Sequence, residues 1–266
     1  MDVDERDSEI LKLLIMPLTF SIAMIFLSSC AVKAKQIKPH SKSFALVKTI
    51  VEVKIFSCEK KEKKEKKCEF KSLGKKAALG SGTFFHYKSS RAFLTAGHVC
   101  LGPAYEIWND LPTGSKVIPE IHLESFSGHH IKGKISYVNL KHDLCVVEAK
   151  HPTIKRLPRI SQFDSRMYKE YYSIAAPASI FHTGMVPILQ GLYVGDSNIF
   201  SFYTMPAAPG ASGGAIYDRK DEIVGIVQRT HSAFTHITLS IKHRDLKQIL
   251  DRYIELKKQG VDSIIE

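Results

Sequence analysis

Residues 208–227 read APGASGGAIYDRKDEIVGIV, and this stretch decides which folds the chain can adopt. Three glycines surround Ser212, and glycines let backbone N–H groups converge on a point where a negatively charged oxygen can form. After the serine come an apolar stretch, a polar turn and a second apolar stretch, a pattern that predicts a β-hairpin. The stretch therefore combines a candidate nucleophile with an all-β setting.

The same turn fits the pattern G-x-S-x-G, which marks the nucleophile of α/β-hydrolases. That fold requires a helix directly after the serine, and an Asp and then a His further along the chain. Here a hairpin follows Ser212, and too little chain remains after it for alternating β/α units. We therefore exclude the esterase interpretation.

Two motifs nearer the N-terminus carry the other candidate catalytic residues. The stretch FLTAGHVC at residues 93–100 predicts an apolar strand whose small residues allow a sharp turn that exposes His98. In HDLCVV at residues 142–147, Asp143 stands at the head of a strongly apolar strand. A carboxylate is costly to bury there unless it accepts a hydrogen bond, and a histidine ring N–H is a suitable donor.

Short apolar stretches separated by Gly, Pro, Ser or Asn predict strands along most of the chain. They form two sets with a linker at 152–168, which indicates two six-stranded antiparallel β-barrels at about 44–151 and 169–242. Apolar residues at helical spacing predict a C-terminal helix over 243–259. The predicted strands are 44–57, 77–87, 91–95, 107–108, 118–126, 130–139, 144–149, 171–175, 184–194, 199–204, 214–217, 222–228 and 236–241.

Together the three motifs resemble those of the chymotrypsin/trypsin-like serine endopeptidases. LTAGHV around His98 is similar to the histidine turn of that family, and GASGG around Ser212 is similar to its GxSGG motif. Asp143 heads a strand as the family aspartate does, and the order His, Asp, Ser is the order of that fold. The resemblance covers roughly residues 44–250 and implies a trypsin-like protease domain over 44–260.

The resemblance also implies a role for each residue of the site. Ser212 would attack the scissile carbonyl, His98 would transfer the proton, and Asp143 would orient the imidazole. The backbone N–H groups of Gly210 and Ser212 would form the oxyanion hole. The substrate would be a protein or peptide, and the alternative is a catalytically silent binding module of the same fold.

The resemblance assigns four residues of this chain to substrate binding. Pro206 would lie at the floor of the primary pocket, and because it is not acidic, a preference for Arg or Lys is not expected. Val227 stands where glutamate-specific relatives carry a histidine, which argues against that preference too. Gln228 and Arg229 would border the pocket and pair with the substrate backbone.

One departure from the family concerns activation. Ala211 replaces an aspartate that in digestive relatives pairs with a freed N-terminus. We therefore expect no such activation switch, and a position closer to the bacterial and HtrA-like branches. Because the sequence ends at Glu266, we expect no PDZ domain after the C-terminal helix.

Four cysteines outside the N-terminal segment allow three disulfide pairings. Cys58 and Cys68 flank most of a charged stretch, so a disulfide between them would close its base. By the resemblance, Cys100 and Cys145 each lie two residues after a catalytic residue, and a disulfide would lock that pair. Four reduced cysteines in a cytosolic protein are the alternative.

The N-terminus predicts export. The apolar stretch Leu13–Leu27 is too short for a transmembrane helix and fits the core of a signal peptide. It ends in LSSC, which resembles the bacterial lipobox and implies a lipidated Cys30 after a signal over 1–29, with a tether over 30–43. This places the protein at the cell envelope, as a membrane-anchored lipoprotein or in the periplasm. The acidic leader is unusual for a signal, so an uncleaved anchor or another start site remains open.

Charge is unevenly distributed along the chain. The sequence has 38 Lys and Arg against 27 Asp and Glu, a net charge of +11, and without residues 1–29 it has 36 against 22, or +14. Residues 60–76 alone hold nine Lys and three Glu. We expect a solvated loop or hairpin tip there, and the alternative is a docking site for an anionic partner. No nucleic-acid motif and no metal-ligand spacing accompany it, so we expect no nucleic acid, metal or cofactor.

Overall fold

The computed structural model describes residues 40–60, 66–261 and 263–266. It contains two closed antiparallel barrels of six strands each, followed by a helix, as the sequence predicts. The predicted signal segment and Cys30 lie outside the described residues. In the part of the chain that is described, no helix is long and apolar enough to cross a membrane.

The first barrel is built from six strands in the order β5-β4-β1-β2-β3-β6, and β6 closes the barrel by pairing with β5. Alternating apolar residues of these strands fill its interior, among them Phe84, Phe93 and Val147. A helical turn, α1 (Gly97–Leu101), follows β3. The strands are β1 (Phe44–Lys60), β2 (Lys66–Tyr87), β3 (Ser90–Ala96), β4 (Lys116–Ser125), β5 (His130–Asn139) and β6 (Leu144–Glu148).

The second barrel has the strand order β10-β11-β12-β9-β8-β7, and β7 closes it by pairing with β10. One apolar cluster joins the two barrels to the helix α2 (His243–Lys258), with Leu94, Ile226 and Leu250 among its members. The strands are β7 (Glu170–Ile174), β8 (Ile188–Asp196), β9 (Phe200–Tyr203), β10 (Ala215–Tyr217), β11 (Ile223–His231) and β12 (Phe234–Ile241). After α2, the short strand β13 (Ile264–Ile265) pairs in parallel with β5.

Three local predictions differ from the structure. The predicted strand at 107–108 is wrong, because the chain forms a 3₁₀ turn over Trp108–Asp110, and the indole packs on the barrel interior. The predicted strand at 184–194 begins only at Ile188. The charged stretch is more regular than a loop, since β1 continues to Lys60 and β2 begins at Lys66. A two-stranded ribbon exposes both faces to water, so charged residues do not prevent strand formation.

Both favoured disulfide pairings are confirmed. Cys100–Cys145 lies in the interior of the first barrel, where both residues are fully buried. Cys58–Cys68 links β1 to β2 in the exposed ribbon beyond the barrel. One disulfide therefore crosslinks the buried interior of the barrel, and the other crosslinks the exposed ribbon that extends from it.

Candidate active site

A cleft of about 760 Å³ is lined by residues of both barrels. It contains the side chains of His98, Asp143 and Ser212, which are separated by up to 114 residues in the sequence. Gln228 and Arg229 line the same cleft. The fold thus brings together the three candidate catalytic residues that the sequence singled out.

The first barrel places His98 and Asp143 in direct contact. The backbone N–H of His98 donates to one carboxylate oxygen of Asp143 at 2.8 Å, and the ring Nδ1 lies 2.8 Å from the other. Because a carboxylate oxygen accepts, Nδ1 carries a proton and Nε2 remains available to exchange one in the cleft. Gly97 makes this approach possible, because a Cβ there would lie 3.1 Å from the Asp143 carboxylate.

Asp143 is held in an unusual position. It is 4% exposed, and its φ of 47° lies in the left-handed region that few non-glycine residues adopt. Its backbone N–H donates to the carbonyl of Leu140 at 3.3 Å, which closes the turn between β5 and β6. The carboxylate is therefore buried with both of its oxygens occupied by hydrogen bonds.

Two side chains from elsewhere in the chain support this turn. The amide of the buried Gln228 donates to the backbone carbonyls of His142 and Asp143. The hydroxyl of Tyr105 donates to the carbonyl of Leu140 at 2.7 Å, and its ring meets the His98 ring edge-on. The pKa of Tyr105 is raised above its ordinary value, mainly by burial and secondly by the neighbouring Asp143 carboxylate. The phenol therefore stays protonated and can donate a hydrogen bond.

The second barrel places Ser212 on a turn between β9 and β10 that depends on glycine. Gly210 and Gly213 have φ values of +95° and +87°, which L side chains rarely adopt. A Cβ at Gly213 would collide with the carbonyl of Ser81 and the hydroxyl of Thr95, both in the first barrel. Only a residue without a side chain therefore lets the turn approach the first barrel this closely.

Ser81 on β2 fastens the Ser212 turn to the first barrel. Its N–H donates to the carbonyl of Ser212 at 2.8 Å, and its hydroxyl donates to the carbonyl of Gly210 at 2.7 Å. The same hydroxyl accepts a hydrogen bond from the N–H of Ala176 at 2.9 Å. One buried serine thus fixes the orientation of two peptide groups, Gly210–Ala211 and Ser212–Gly213.

The hydrogen-bonding groups around Ser212 differ in whether they have partners. The N–H groups of Gly210 and Ser212 have no hydrogen-bond partner among the described residues, whereas the N–H of Ala211 donates to Ala208. The Ser212 hydroxyl donates to the backbone carbonyl of Gln228 at 3.2 Å. Within the described ranges it makes no hydrogen bond to His98, although both side chains line the cleft.

Of the residues assigned to the specificity pocket, Val227 and Arg229 line the cleft and Pro206 does not. Val227 is buried and lines the cleft. Arg229 is exposed at the rim, and its guanidinium lies 5.2 Å from the centre of the Phe200 ring. Pro206 is exposed and is not among the cleft-lining residues, because the extended chain turns Ala207 inward in its place.

Sequence reasoning missed the two supporting contacts of the aspartate turn. The sequence assigns Gln228 to substrate binding, and nothing in its neighbourhood indicates a contact with residues 85 and 86 positions earlier. Tyr105 follows α1 in a stretch without strand or helix periodicity. In the described part of the chain, no cluster of three or more His, Cys, Asp or Glu residues could hold a metal ion.

Two solved structures of similar fold are proteases. A serine endoprotease from Yersinia pestis is 18% identical with a TM-score of 0.53, over 77% of this chain and 62% of that one. The HtrA-type protease AlgW, solved as a variant with a tripeptide, is 17% identical with a TM-score of 0.54, over 81% and 61%. The chain thus spans about three fifths of the length of these structures, and at such identities the likeness extends to the fold alone.

Comparison with protein families gives a closer assignment. No curated protein matches the chain. Residues 80–226, more than half of the sequence, match the family described as the trypsin-like peptidase domain. This segment includes all three candidate catalytic residues. The chain therefore belongs to the trypsin-like peptidase family of serine proteases.

Proposed function

We propose that the protein is a serine endopeptidase that cleaves peptide bonds through His98, Asp143 and Ser212. The observation that carries the proposal is the pair of 2.8 Å contacts between His98 and Asp143, in one cleft with Ser212. The N–H groups of Gly210 and Ser212 support it, because neither has a partner among the described residues and both can bind an oxyanion. The alternative, a silent binding module, would need a defect in one of these elements.

The proposed reaction has two halves. Ser212 Oγ attacks the scissile carbonyl carbon while Nε2 of His98 accepts its proton, and the N–H groups of Gly210 and Ser212 stabilise the resulting oxyanion. His98 then protonates the leaving amine, which leaves an acyl-enzyme on Ser212. Water attacks this ester with His98 as the base and releases the second product.

One rearrangement precedes the first step. The Ser212 hydroxyl donates to the carbonyl of Gln228, so this hydrogen bond must break before the proton can pass to His98. Rotation between staggered side-chain positions takes picoseconds to nanoseconds, so it does not limit turnover. Asp143 remains hydrogen-bonded throughout and stabilises the imidazolium that forms on His98.

Labelling with a fluorophosphonate probe tests the proposal. The probe reacts with an activated serine, so the full chain should be labelled and should cleave a peptide library. Ser212→Ala should abolish both signals, whereas Ser232→Ala, at an exposed serine in the turn between β11 and β12, should abolish neither. A folded protein that takes no label would support the silent binding module instead.

We also propose that the protein is exported and tethered to a membrane through Cys30. Two disulfides in the described residues support this, because such bonds persist in oxidising compartments. Cells fed a labelled fatty acid should incorporate it into the wild type and not into Cys30→Ser. Recovery of unlabelled protein from the cytosol with all five cysteines as free thiols would contradict the proposal.

A further inference from the structure

A two-stranded arm extends from the first barrel. β4 pairs with β1 only as far as Lys54, whereas β2 pairs with β1 as far as Lys60. Residues 55–60 and 66–71 therefore pair only with each other, and we call them the arm. The Cys58–Cys68 disulfide crosslinks it. An isolated two-stranded ribbon is marginally stable in water, so the crosslink keeps the arm in its extended form.

The arm exposes an aromatic pair. Phe56 and Phe70 face each other across the two strands, with ring centres 5.3 Å apart. They are 45% and 42% exposed, and Leu73 beside the arm is 55% exposed. Large apolar side chains grouped in this way on a protein surface mark a contact with a partner or a membrane.

Positive charge surrounds this apolar surface. Lys71, Lys75 and Lys76 are exposed, and within the described residues none of them forms an ion pair. Lys116 on the adjacent strand places its ammonium 4.4 Å from the centre of the Phe70 ring. Residues 55–60 and 66–76 carry six Lys against two Glu, so the arm and its base are basic.

We propose that the arm binds the surface of an anionic lipid bilayer. Its lysines would contact lipid phosphates, while Phe56, Phe70 and Leu73 would enter the boundary between headgroups and acyl chains. A nucleic acid is the weaker candidate, because bases stack on open ring faces. Here one face of Phe70 carries the Lys116 ammonium, and the rings of Phe56 and Phe70 are tilted against each other.

Vesicle binding of the full chain tests this proposal. The measured quantity is the ratio of partitioning into vesicles with 30% phosphatidylglycerol to partitioning into pure phosphatidylcholine. The apolar stretch Leu13–Leu27 can enter both kinds of vesicle, and its acidic leader gives no preference for anionic lipid. Each lysine near an anionic surface changes partitioning by about five-fold, so Lys71→Gln, Lys75→Gln and Lys76→Gln together should lower the ratio by about a hundredfold.

A matched variant distinguishes the arm from net charge. Lys132→Gln, Lys150→Gln and Lys258→Gln remove three exposed lysines from other surfaces, and the ratio should change far less. Equal losses in the two triple variants would overturn the proposal, since net charge alone would then explain the binding. Thermal unfolding of both variants confirms that the fold is retained.

An aromatic variant distinguishes a bilayer from a soluble polyanion. Phe56→Ser with Phe70→Ser should weaken binding to the anionic vesicles by about tenfold or more, while binding to heparin should be unchanged. If the ratio of anionic to neutral partitioning is unchanged in this variant, the arm recognises charge alone and the proposal of a lipid surface fails.

Discussion

The two barrels hold their parts of the candidate active site by different means. In the first barrel, His98 and Asp143 are fixed by side-chain hydrogen bonds above the buried Cys100–Cys145 disulfide. In the second barrel, Ser212 is fixed by the shape of the backbone and by contacts with Ser81. The contact between His98 and Asp143 should therefore be lost when a functional group is removed. The Ser212 turn should be displaced when a side chain is added.

The largest expected effect comes from adding one methyl group to the Ser212 turn. In Gly213→Ala, the new Cβ would collide with Ser81 and Thr95 at a positive φ, so the turn must leave the first barrel. Activity should fall below detection and stability should fall by several kcal/mol. Gly184→Ala is the control, because Gly184 has a φ of +82° with open space around it.

The control isolates backbone strain, which costs roughly 1–2 kcal/mol for a non-glycine residue in this region. Urea unfolding and hydrolysis of a peptide substrate give the two measurements for each variant. Equal stability losses in Gly213→Ala and Gly184→Ala would mean that strain, and not contact between the barrels, makes the glycine necessary.

The next effect should appear in activity with little change in stability. Asp143→Asn keeps the size of the side chain but presents the His98 ring with an amide in place of a carboxylate, which favours the wrong tautomer. We expect kcat/KM to fall by about 10⁴-fold. A melting temperature that falls along with activity would instead make Asp143 mainly a structural residue.

Removing the buried disulfide tests whether the core of the first barrel holds His98 and Asp143, the proposed catalytic pair, in place. Cys100→Ala with Cys145→Ala opens a 45-residue loop and should cost about 4 kcal/mol, with some loss of activity. Cys58→Ala with Cys68→Ala opens a 10-residue loop and should cost at most about 3 kcal/mol. Activity should be unchanged in this second variant, because the arm can separate without disturbing the cleft.

Gln228 connects the two halves and should give a smaller effect. It belongs to the second barrel, and its amide supports the Asp143 turn of the first. Gln228→Ala should lower kcat about 10- to 100-fold through loss of alignment, with KM nearly unchanged. Gln190→Ala, at an exposed glutamine on β8, is the control. A rise in KM at constant kcat would assign Gln228 to substrate binding, as the sequence suggests.

The smallest effect concerns pH. Burial lowers the pKa of His40, His142 and His151 below the ordinary value of 6.5, and nearby charges modify it further. The unfolded chain therefore binds more protons than the folded one, and these residues reduce stability as pH falls below about 6.5. The urea midpoint should drop between pH 7.5 and 5.5, and less so in His142→Gln with His151→Gln. An identical drop in that variant would assign the effect to other groups.

Sequence patterns predict the features that a short stretch of residues encodes by itself. His98, Asp143 and Ser212 each stand in a short motif, and alternation of apolar residues marks most strands. The contacts between the motifs are not encoded in this way. Ser81 is an ordinary serine in a strand until the fold brings Gly210 and Ser212 against it.

Secondary structure was missed where a pattern was too short or was hidden by charge. Ile264 and Ile265 form a two-residue strand that pairs with the edge of β5. Lysines mask the alternation of residues 55–60 and 66–71, although cross-strand pairing continues through them. Ile264 and Ile265 do pack against the buried clusters, but two residues are too few to form a recognisable pattern.

The pairing of β13 has a consequence for synthesis of the protein. The N–H of Leu140, in the turn that carries Asp143, donates to the carbonyl of Glu266 at 2.6 Å, and Tyr137 donates to the Glu266 carboxylate at 2.9 Å. At about 5–20 residues per second, the ribosome needs roughly 6–25 s to add the residues between Leu140 and Glu266. Until then the aspartate turn lacks these partners, so this part of the candidate site can form completely only after β13 has been synthesised.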